Sequence, residues 1–387
     1  MIIETTPTDV AHGGYCVARH EGVVVFISGA LVGERLRVEI TSRRSKVWYA
    51  RVVEVLEPSP DRIDLIWPLA ARQVIGGADL GHVSLEAGRV WKAQVIQTQL
   101  RRLAHLERVV TVEGIASDTE RAGLAWRTRL SLQVDNKGRL GLFGAKTHQV
   151  QPIDGMPLAH EAIQEAIARE LKTGRVQQAP GPRLYVQASG SGLAVHPART
   201  SFTIVEQVKT SDAVWTYQVA GDGFWQVHRQ AGTILVEAVR RAVGDWGGPI
   251  FDLYAGAGLF TLPLAALGLV TAIEGSPSAV QNLRTNTAGL EVRPLSGDVA
   301  AVLERIEPTP GSVMVCDPPR SGAGRLAVEQ MARIGPERVV YVACDPAALA
   351  RDIATFADLG YTLTDLRAFD LFPMTHHVEC VAVLDQL

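Results

Sequence analysis

From about Gly221 to its end, the chain alternates short apolar stretches with helical ones, and few architectures tolerate that pattern. Candidate strands are "IFDLY" at 250–254, "VTAIE" at 270–274, "SVMVCD" at 312–317 and "VVYVAC" at 339–344, with a final pair near Tyr361–Phe369 and Val378–Leu384. Apolar strands spaced by helices predict an α/β fold with a parallel, doubly wound sheet. Ligands of such sheets sit beyond the carboxyl ends of the strands, so residues at those ends are the first candidates for chemistry.

The rest of the chain reads differently. Up to about Pro60, β-branched runs at Val23–Ile27, Arg35–Ile40 and Val47–Val55, broken by glycines and by the polar turn "TSRRSK", predict a small β-barrel over 1–60. Arg43, Arg44 and Lys46 on that turn, beside Trp48 and Tyr49, suit contact with a nucleic-acid backbone and its bases; a plain strand-to-strand loop is the alternative. "EPSPDR" reads as a linker. In 61–220 the pattern gives a helix at about Ala87–Leu106 and strands at Leu130–Val134, Leu184–Ala188 and Leu193–Val195, without defining a fold. Formal net charge is −3, yet Arg89 to Lys146 carries a local excess of Lys and Arg, which makes either a basic face for phosphates or a solvated mixed-charge surface. No basic region followed by an apolar stretch opens the chain, and no apolar run approaches bilayer length, so a cytoplasmic location without a membrane partner is expected. Cys16, Cys316, Cys344 and Cys380 are scattered, which disfavours disulfides and thiolate metal sites.

"DLYAGAGLF" follows the first strand of the C-terminal region, and Gly256 and Gly258 allow close backbone approach to a ligand near a helix N-terminus. Thr261 stands where a dinucleotide fingerprint would have its third glycine. Glu274, at the end of the second strand, is placed to accept hydrogen bonds from ribose hydroxyls, and Asp298 could hold an adenine amino group. Asp252 and Asp317 complete four acids at four strand ends, each costly to bury without a partner. They would repel a pyrophosphate, which favours a nucleoside cofactor such as S-adenosylmethionine; the bland alternative makes one or two of them helix N-caps.

"YVACDPAALARD" ends a strand on Cys344 and turns into a helix through Asp345, a good N-cap, and Pro346. The helix dipole there favours thiolate, while the charge of Asp345 works against it. Cys316, among Val313–Val315, reads as a small buried hydrophobe. Glu379 is an acid at the start of an otherwise apolar strand, and His376 and His377, adjacent in an expected strand, would point to opposite faces, so no metal is expected.

Taken in order, "DLYAGAGLF", "DPPRSGAG", "YVACDPAALARD" and "HHVEC" resemble the RNA 5-methyluridine methyltransferase family nearly end to end. The resemblance implies an N-terminal TRAM RNA-binding barrel (1–60), a central RNA-binding domain (61–220, with part of 87–125 packing on the catalytic domain) and a class I, Rossmann-like methyltransferase domain (221–387). It also implies S-adenosylmethionine as cofactor, ribosomal or transfer RNA as partner and no obligate protein partner. By motif position Cys344 would be the nucleophile and Glu379 the base. Gln226, Tyr254, Glu274 and Asp317 would contact the cofactor, with Asp317 also near the target base.

The sequence departs from the family in three places. Relatives often hold a four-iron, four-sulfur cluster on four cysteines; here Trp67, Ile75, Ala78 and Met156 stand at those positions, so no cluster is expected and apolar packing should replace it. Asp345 replaces the more usual asparagine after the cysteine, and "AGAG" lacks the cysteine and asparagines common in that loop. Two rival readings follow: a cytosine-C5 methyltransferase, which would need a cysteine such as Cys316 in the fourth-strand motif, and a non-catalytic RNA-binding protein with a degenerate domain.

Overall fold

A computed structural model describes residues 1–71, 74–144, 147–173, 183–197 and 202–387. Alternating apolar residues in β1 (Ile2–Thr5), β2 (Asp9–Ala11), β3 (Tyr15–His20), β4 (Val23–Ser28), β5 (Arg35–Arg44) and β6 (Val47–Glu57) send one face of each strand inward. Ile3, Val10, Cys16, Val25, Ile27, Leu36, Val38 and Ala50 meet there in one cluster inside a six-stranded sheet of order β1-β5-β6-β4-β3-β2. The expected turn is shorter than "TSRRSK": β5 runs on through Arg44, because Ser42, Arg43 and Arg44 pair with Tyr49, Trp48 and Val47.

Next come α1 (Pro68–Ala71), α2 (Leu85–Leu103), β7 (Val112–Glu113) and α3 (Ala116–Glu120). Ser84 caps α2 by accepting from Ala87 N, and Arg101 and Arg102 sit favourably at its carboxyl end. Its apolar positions divide between two cores. Trp91 and Val95 join the N-terminal cluster, while Ala93, Ile96 and Leu100 join the core of the C-terminal sheet. Within the central region β8 (Arg129–Val134), β9 (Leu140–Phe143), β10 (Val150–Pro152), α4 (Glu161–Thr173), β11 (Arg183–Ser189) and β12 (Gly192–Pro197) build a five-stranded antiparallel sheet of order β10-β9-β8-β11-β12 with its helix. The hairpin of β13 (Thr203–Lys209) and β14 (Val214–Ala220), which pattern did not reveal, forms a separate pair.

The remaining elements are α5 (Ala231–Val243), β15 (Ile250–Leu253), α6 (Thr261–Leu264), β16 (Val270–Glu274), α7 (Pro277–Asn286), β17 (Val292–Ser296), α8 (Val299–Leu303), β18 (Val313–Cys316), α9 (Arg325–Ile334), β19 (Arg338–Ala343), α10 (Pro346–Asp358), β20 (Tyr361–Phe369) and β21 (Glu379–Gln386). Their seven strands and β7 form an eight-stranded sheet of order β17-β16-β15-β18-β19-β21-β20-β7. The sheet is mixed rather than wholly parallel, since β21 runs antiparallel to both β19 and β20. A short turn-rich return before Glu379, in place of a helical crossover, requires that reversal. Val339–Val342 are fully buried, as expected of a strand covered on both faces.

Candidate active site

The loop after β15 is held by acids that play different parts. Asp252 lies within β15 and is completely buried, so it does not face the crevice as a strand-end acid was expected to. It accepts a hydrogen bond from the Thr261 hydroxyl, which explains a threonine in place of a third glycine, and its Oδ1 has no partner among the described residues. Burial, with the charges of Asp317 and Glu274 behind it, outweighs that bond and pushes the Asp252 carboxyl up to about 7. Tyr254 adopts φ +60, a left-handed conformation unusual for a residue with a side chain. Gly256, at φ +57, opens on empty space: a Cβ there would meet nothing within 4 Å. The helix expected right after these glycines is a single turn, Thr261–Leu264, which begins beyond them.

Glu274 ends β16 and pins this loop, accepting from Gly256 N at 2.8 Å and from Ser276 N at 2.6 Å. Each carboxylate oxygen keeps a free lone pair for a hydroxyl donor. Asp298 is exposed and caps α8 through Ala301 N at 3.1 Å, so the N-cap alternative describes its visible contact. Asp317 follows β18, and burial pushes its carboxyl up to about 7. Gln226 is 8% exposed, and its side chain makes no hydrogen bond among the described residues. An orphaned buried amide, an open glycine and a strand-end carboxylate with spare lone pairs suit a polar nucleoside ligand.

On the thiol side, β19 stops at Ala343 and half-buried Cys344 stands between it and α10. Asp345 accepts from Ala348 N at 2.8 Å, and Pro346 occupies the first turn. β21 pairs Cys380 with Ala343, which brings Glu379 alongside Cys344. The expected thiolate bias fails. Burial first, then Glu379, Asp317 and Asp345, push the thiol up to about 12, with Arg320 alone opposing. A helix dipole is a partial charge and loses to desolvation plus three carboxyls. Glu379, 3% exposed, is pushed well above the usual carboxylate range by burial and Asp317. Cys316 is fully buried, and so are Cys16 and Cys380.

Several neighbours escaped sequence reasoning. Asp352, buried on α10, accepts from the Tyr341 hydroxyl and from Ala323 N at 2.7 Å, tying the loop after Asp317 to β19 and α10. A lone acid on an apolar helix face was its signal. Arg320 sits in that loop and acts on both Cys344 and Glu379. His376 and His377 lie in a loop rather than a strand, so their rings are 4.1 Å apart instead of on opposite faces. His376 binds Asp79 through Nδ1 at 2.5 Å. Burial, then His376 and Arg320, push His377 down to about 3. Among the described residues no group of three or more His, Cys, Asp or Glu is placed to hold a metal ion.

Trp67, Ile75, Ala78 and Met156 pack in one apolar cluster with Trp126 and Leu158. On the N-terminal sheet the Arg43 guanidinium lies 4.6 Å over Trp48, and Arg44 and Lys46 are exposed beside it. The basic stretch further on is less of a surface than its charge suggests. Lys92 is buried in an ion pair with Asp370, Arg108 donates to the Leu363 and Thr364 carbonyls, and Arg129 donates to Gly221 O. Lys146, which closes that stretch, lies outside the described residues. No helix among the described residues is long and apolar enough to cross a membrane.

The fold is that of a class I methyltransferase with an appended N-terminal sheet. The sequence signature of tRNA (uracil-5-)-methyltransferases matches residues 307–387, and that of the TRAM domain matches 4–53. An uncharacterized RNA methyltransferase of Bifidobacterium longum is 38% identical, over 96% of this chain and 94% of its own. A 23S rRNA (uracil(1939)-C(5))-methyltransferase of a Shewanella species is 29% identical, over 97% of this chain and 93% of its own. The crystal structure of the Pyrococcus abyssi tRNA (uracil-54, C5)-methyltransferase with S-adenosyl-L-homocysteine has the same fold, with TM-score 0.75 and 20% identity over 99% of this chain and 100% of that one. The chain belongs to the S-adenosylmethionine-dependent RNA (uracil-5-)-methyltransferase family.

Proposed function

We propose that this enzyme methylates C5 of a uridine in ribosomal or transfer RNA in the cytoplasm, with Cys344 as nucleophile and Glu379 as base. The observation that carries this reading is the closeness of Cys344 and Glu379, each next to the Ala343–Cys380 pair that ends the β19–β21 register, with Asp317 acting on both. Uracil C5 is a weak nucleophile. The Cys344 thiol gives up its proton to solvent, and the thiolate that results adds to C6, moving the C5–C6 π electrons onto C5 and O4. S-Adenosylmethionine supplies an electrophilic methyl group. Glu379 then takes the C5 proton, the C–H electrons restore the C5–C6 double bond, and the Cys344 sulfur departs. Glu379 must itself be ionised for this, and its raised pKa makes the carboxylate a stronger base once formed.

Gln226, Tyr254, Gly256, Gly258, Glu274 and Asp317 are the residues we assign to the cofactor, with Asp298 at the adenine end. Asp317 also faces the target base. Arg43, Arg44 and Lys46, with Trp48, are assigned to the RNA around the target, whose uridine must leave its stack to reach Cys344. The Shewanella relative's similarity along its length makes 23S rRNA the first substrate to test. Burial of Cys316 counts against the cytosine reading.

The test is nucleoside mass spectrometry of unmodified total RNA incubated with S-adenosylmethionine and wild type or Cys344→Ala. 5-Methyluridine formed by wild type alone is expected. 5-Methylcytidine would overturn the base assignment. No product, together with no covalent adduct on 5-fluorouridine RNA, would leave an RNA-binding protein.

A further inference from the structure

The turn between β2 and β3, His12-Gly13-Gly14, belongs to the N-terminal sheet, yet it docks beside the thiol. His12 Nε2 lies 3.1 Å from Asp345 Oδ2, while Asp345 Oδ1 caps α10. Gly14, at φ +78, is pressed so closely on the junction that a Cβ would come within 2.7 Å of Asp79 Oδ2 and 3.4 Å of the His376 Cβ. The His12 and His376 rings meet edge-on at 6.2 Å. Two contacts on separate segments of the catalytic region therefore fix this turn.

We propose that His12 is a positioning residue for the reaction: its imidazolium neutralises Asp345 and so limits the charge that this carboxylate imposes on the Cys344 thiol. The proposal rests on Cys344 being the nucleophile. It accounts for aspartate where asparagine is more usual, since an asparagine would cap the helix equally well but could not form an ion pair with a histidine. It also makes the RNA-binding sheet part of the catalytic centre rather than a tether.

The charges that bear on the thiol are Glu379 from β21, Asp317 and Arg320 from the loop after β18, and Asp345 from α10. On His12 act Asp345 and the ring of His376, the latter itself bound to Asp79. Although burial pushes Asp345 up, the hydrogen bonds from His12 and Ala348 N hold it below its ordinary value, so it is ionised wherever the enzyme works.

The experiment is alkylation of Cys344 by iodoacetamide in the full-length protein between pH 5.5 and 9, followed by mass spectrometry of the Cys344 peptide. Wild type, His12→Gln, Asp345→Asn and the double variant are compared. His12→Gln keeps a hydrogen-bond donor and the docked turn but removes the charge. A charge of this kind moves a nearby thiol by about half to one pK unit, so His12→Gln should react ~3- to 10-fold more slowly near pH 6. The difference should vanish at high pH, where a neutral imidazole leaves wild type as uncharged at this position as the glutamine variant. In the Asp345→Asn background His12→Gln should change nothing. Equal rates of wild type and His12→Gln at pH 6 would overturn the proposal, as would an effect of the same size with Asp345→Asn. A merely structural turn gives a pH-independent change. Alkylation needs neither RNA nor cofactor, so failure of the nucleophile assignment appears separately, as 5-methyluridine formed by Cys344→Ala.

Discussion

Asp252→Asn should stabilise this protein at alkaline pH and destabilise it in acid. Asp252 is completely buried, with one oxygen bonded to Thr261 and the other without a partner among the described residues. Its carboxyl is pushed up from the ordinary aspartate value to about 7. Below pH ~4 the group is protonated in both folded and unfolded chains and contributes no pH dependence. Between pH ~4 and 7 the unfolded chain releases its proton while the folded chain retains it, so stability falls as pH rises. Three pK units at about 1.36 kcal/mol each make the cost ~4 kcal/mol above pH 7. Asparagine is isosteric, keeps the Thr261 bond and carries no charge, but it leaves an amide donor unsatisfied, at about 1–2 kcal/mol. The net change is thus about +2 to +3 kcal/mol at pH 8.5 and about 0 to −1 kcal/mol at pH 4.5, crossing zero near pH ~5. Urea unfolding midpoints of the two proteins, measured side by side across that range, provide the test. A difference of constant sign and size at every pH would refute the assignment of a strained buried acid here.

Glu379→Gln should still form the covalent bond to RNA but fail to resolve it, so protein–RNA adduct accumulates on gels and 5-methyluridine release falls ~10²- to 10⁴-fold. Because burial pushes the Asp252 and Asp317 carboxyls up to about 7, a sulfonium cation should favour their ionised forms. S-Adenosylmethionine binding should therefore tighten by up to about tenfold from pH 6 to 8 relative to uncharged-sulfur S-adenosylhomocysteine, with proton release visible by calorimetry in two buffers. Arg43→Ala and Trp48→Ala should each weaken RNA binding by about 1 kcal/mol, and filter binding against salt should show a shallower slope for the arginine variant only. Lys92→Ala strands buried Asp370 and should cost ~3–5 kcal/mol in urea unfolding, most of which Lys92→Met with Asp370→Leu recovers.

What could be read from the sequence follows from how local its cause is. The strand at Arg338–Ala343 was legible because Val339–Val342 are buried on both faces, and the Asp345–Pro346 start of α10 because its capping chemistry lies within a few residues. The hairpin β13–β14 was not, since its alternating exposure dilutes the apolar signal that marked the central strands. β7 contributes only two residues to the edge of a sheet whose other strands lie far along the chain, a pairing no local pattern encodes. Asp252 was misjudged by a single position: the pleat turns a strand's last residues alternately toward core and crevice, and only packing decides which way the acid faces.

The thiol shows the same division most clearly. Dipole and cap are local and point toward thiolate; desolvation and the carboxyls of Glu379 and Asp317 arrive from other strands and reverse the sign. Among the groups acting on Cys344, three acids oppose one arginine, and Asp345 has a further partner in His12, whose Nε2 lies 3.1 Å from its Oδ2. The Cys344 thiol, pushed up to about 12, therefore keeps its proton at neutral pH in the free enzyme, and burial with Asp317 shifts the Glu379 carboxyl upward as well. Positive charge is what this arrangement of acids lacks, so a sulfonium cofactor bound beside Asp317 should favour ionisation of the thiol, whereas a base that displaces water around it should oppose ionisation.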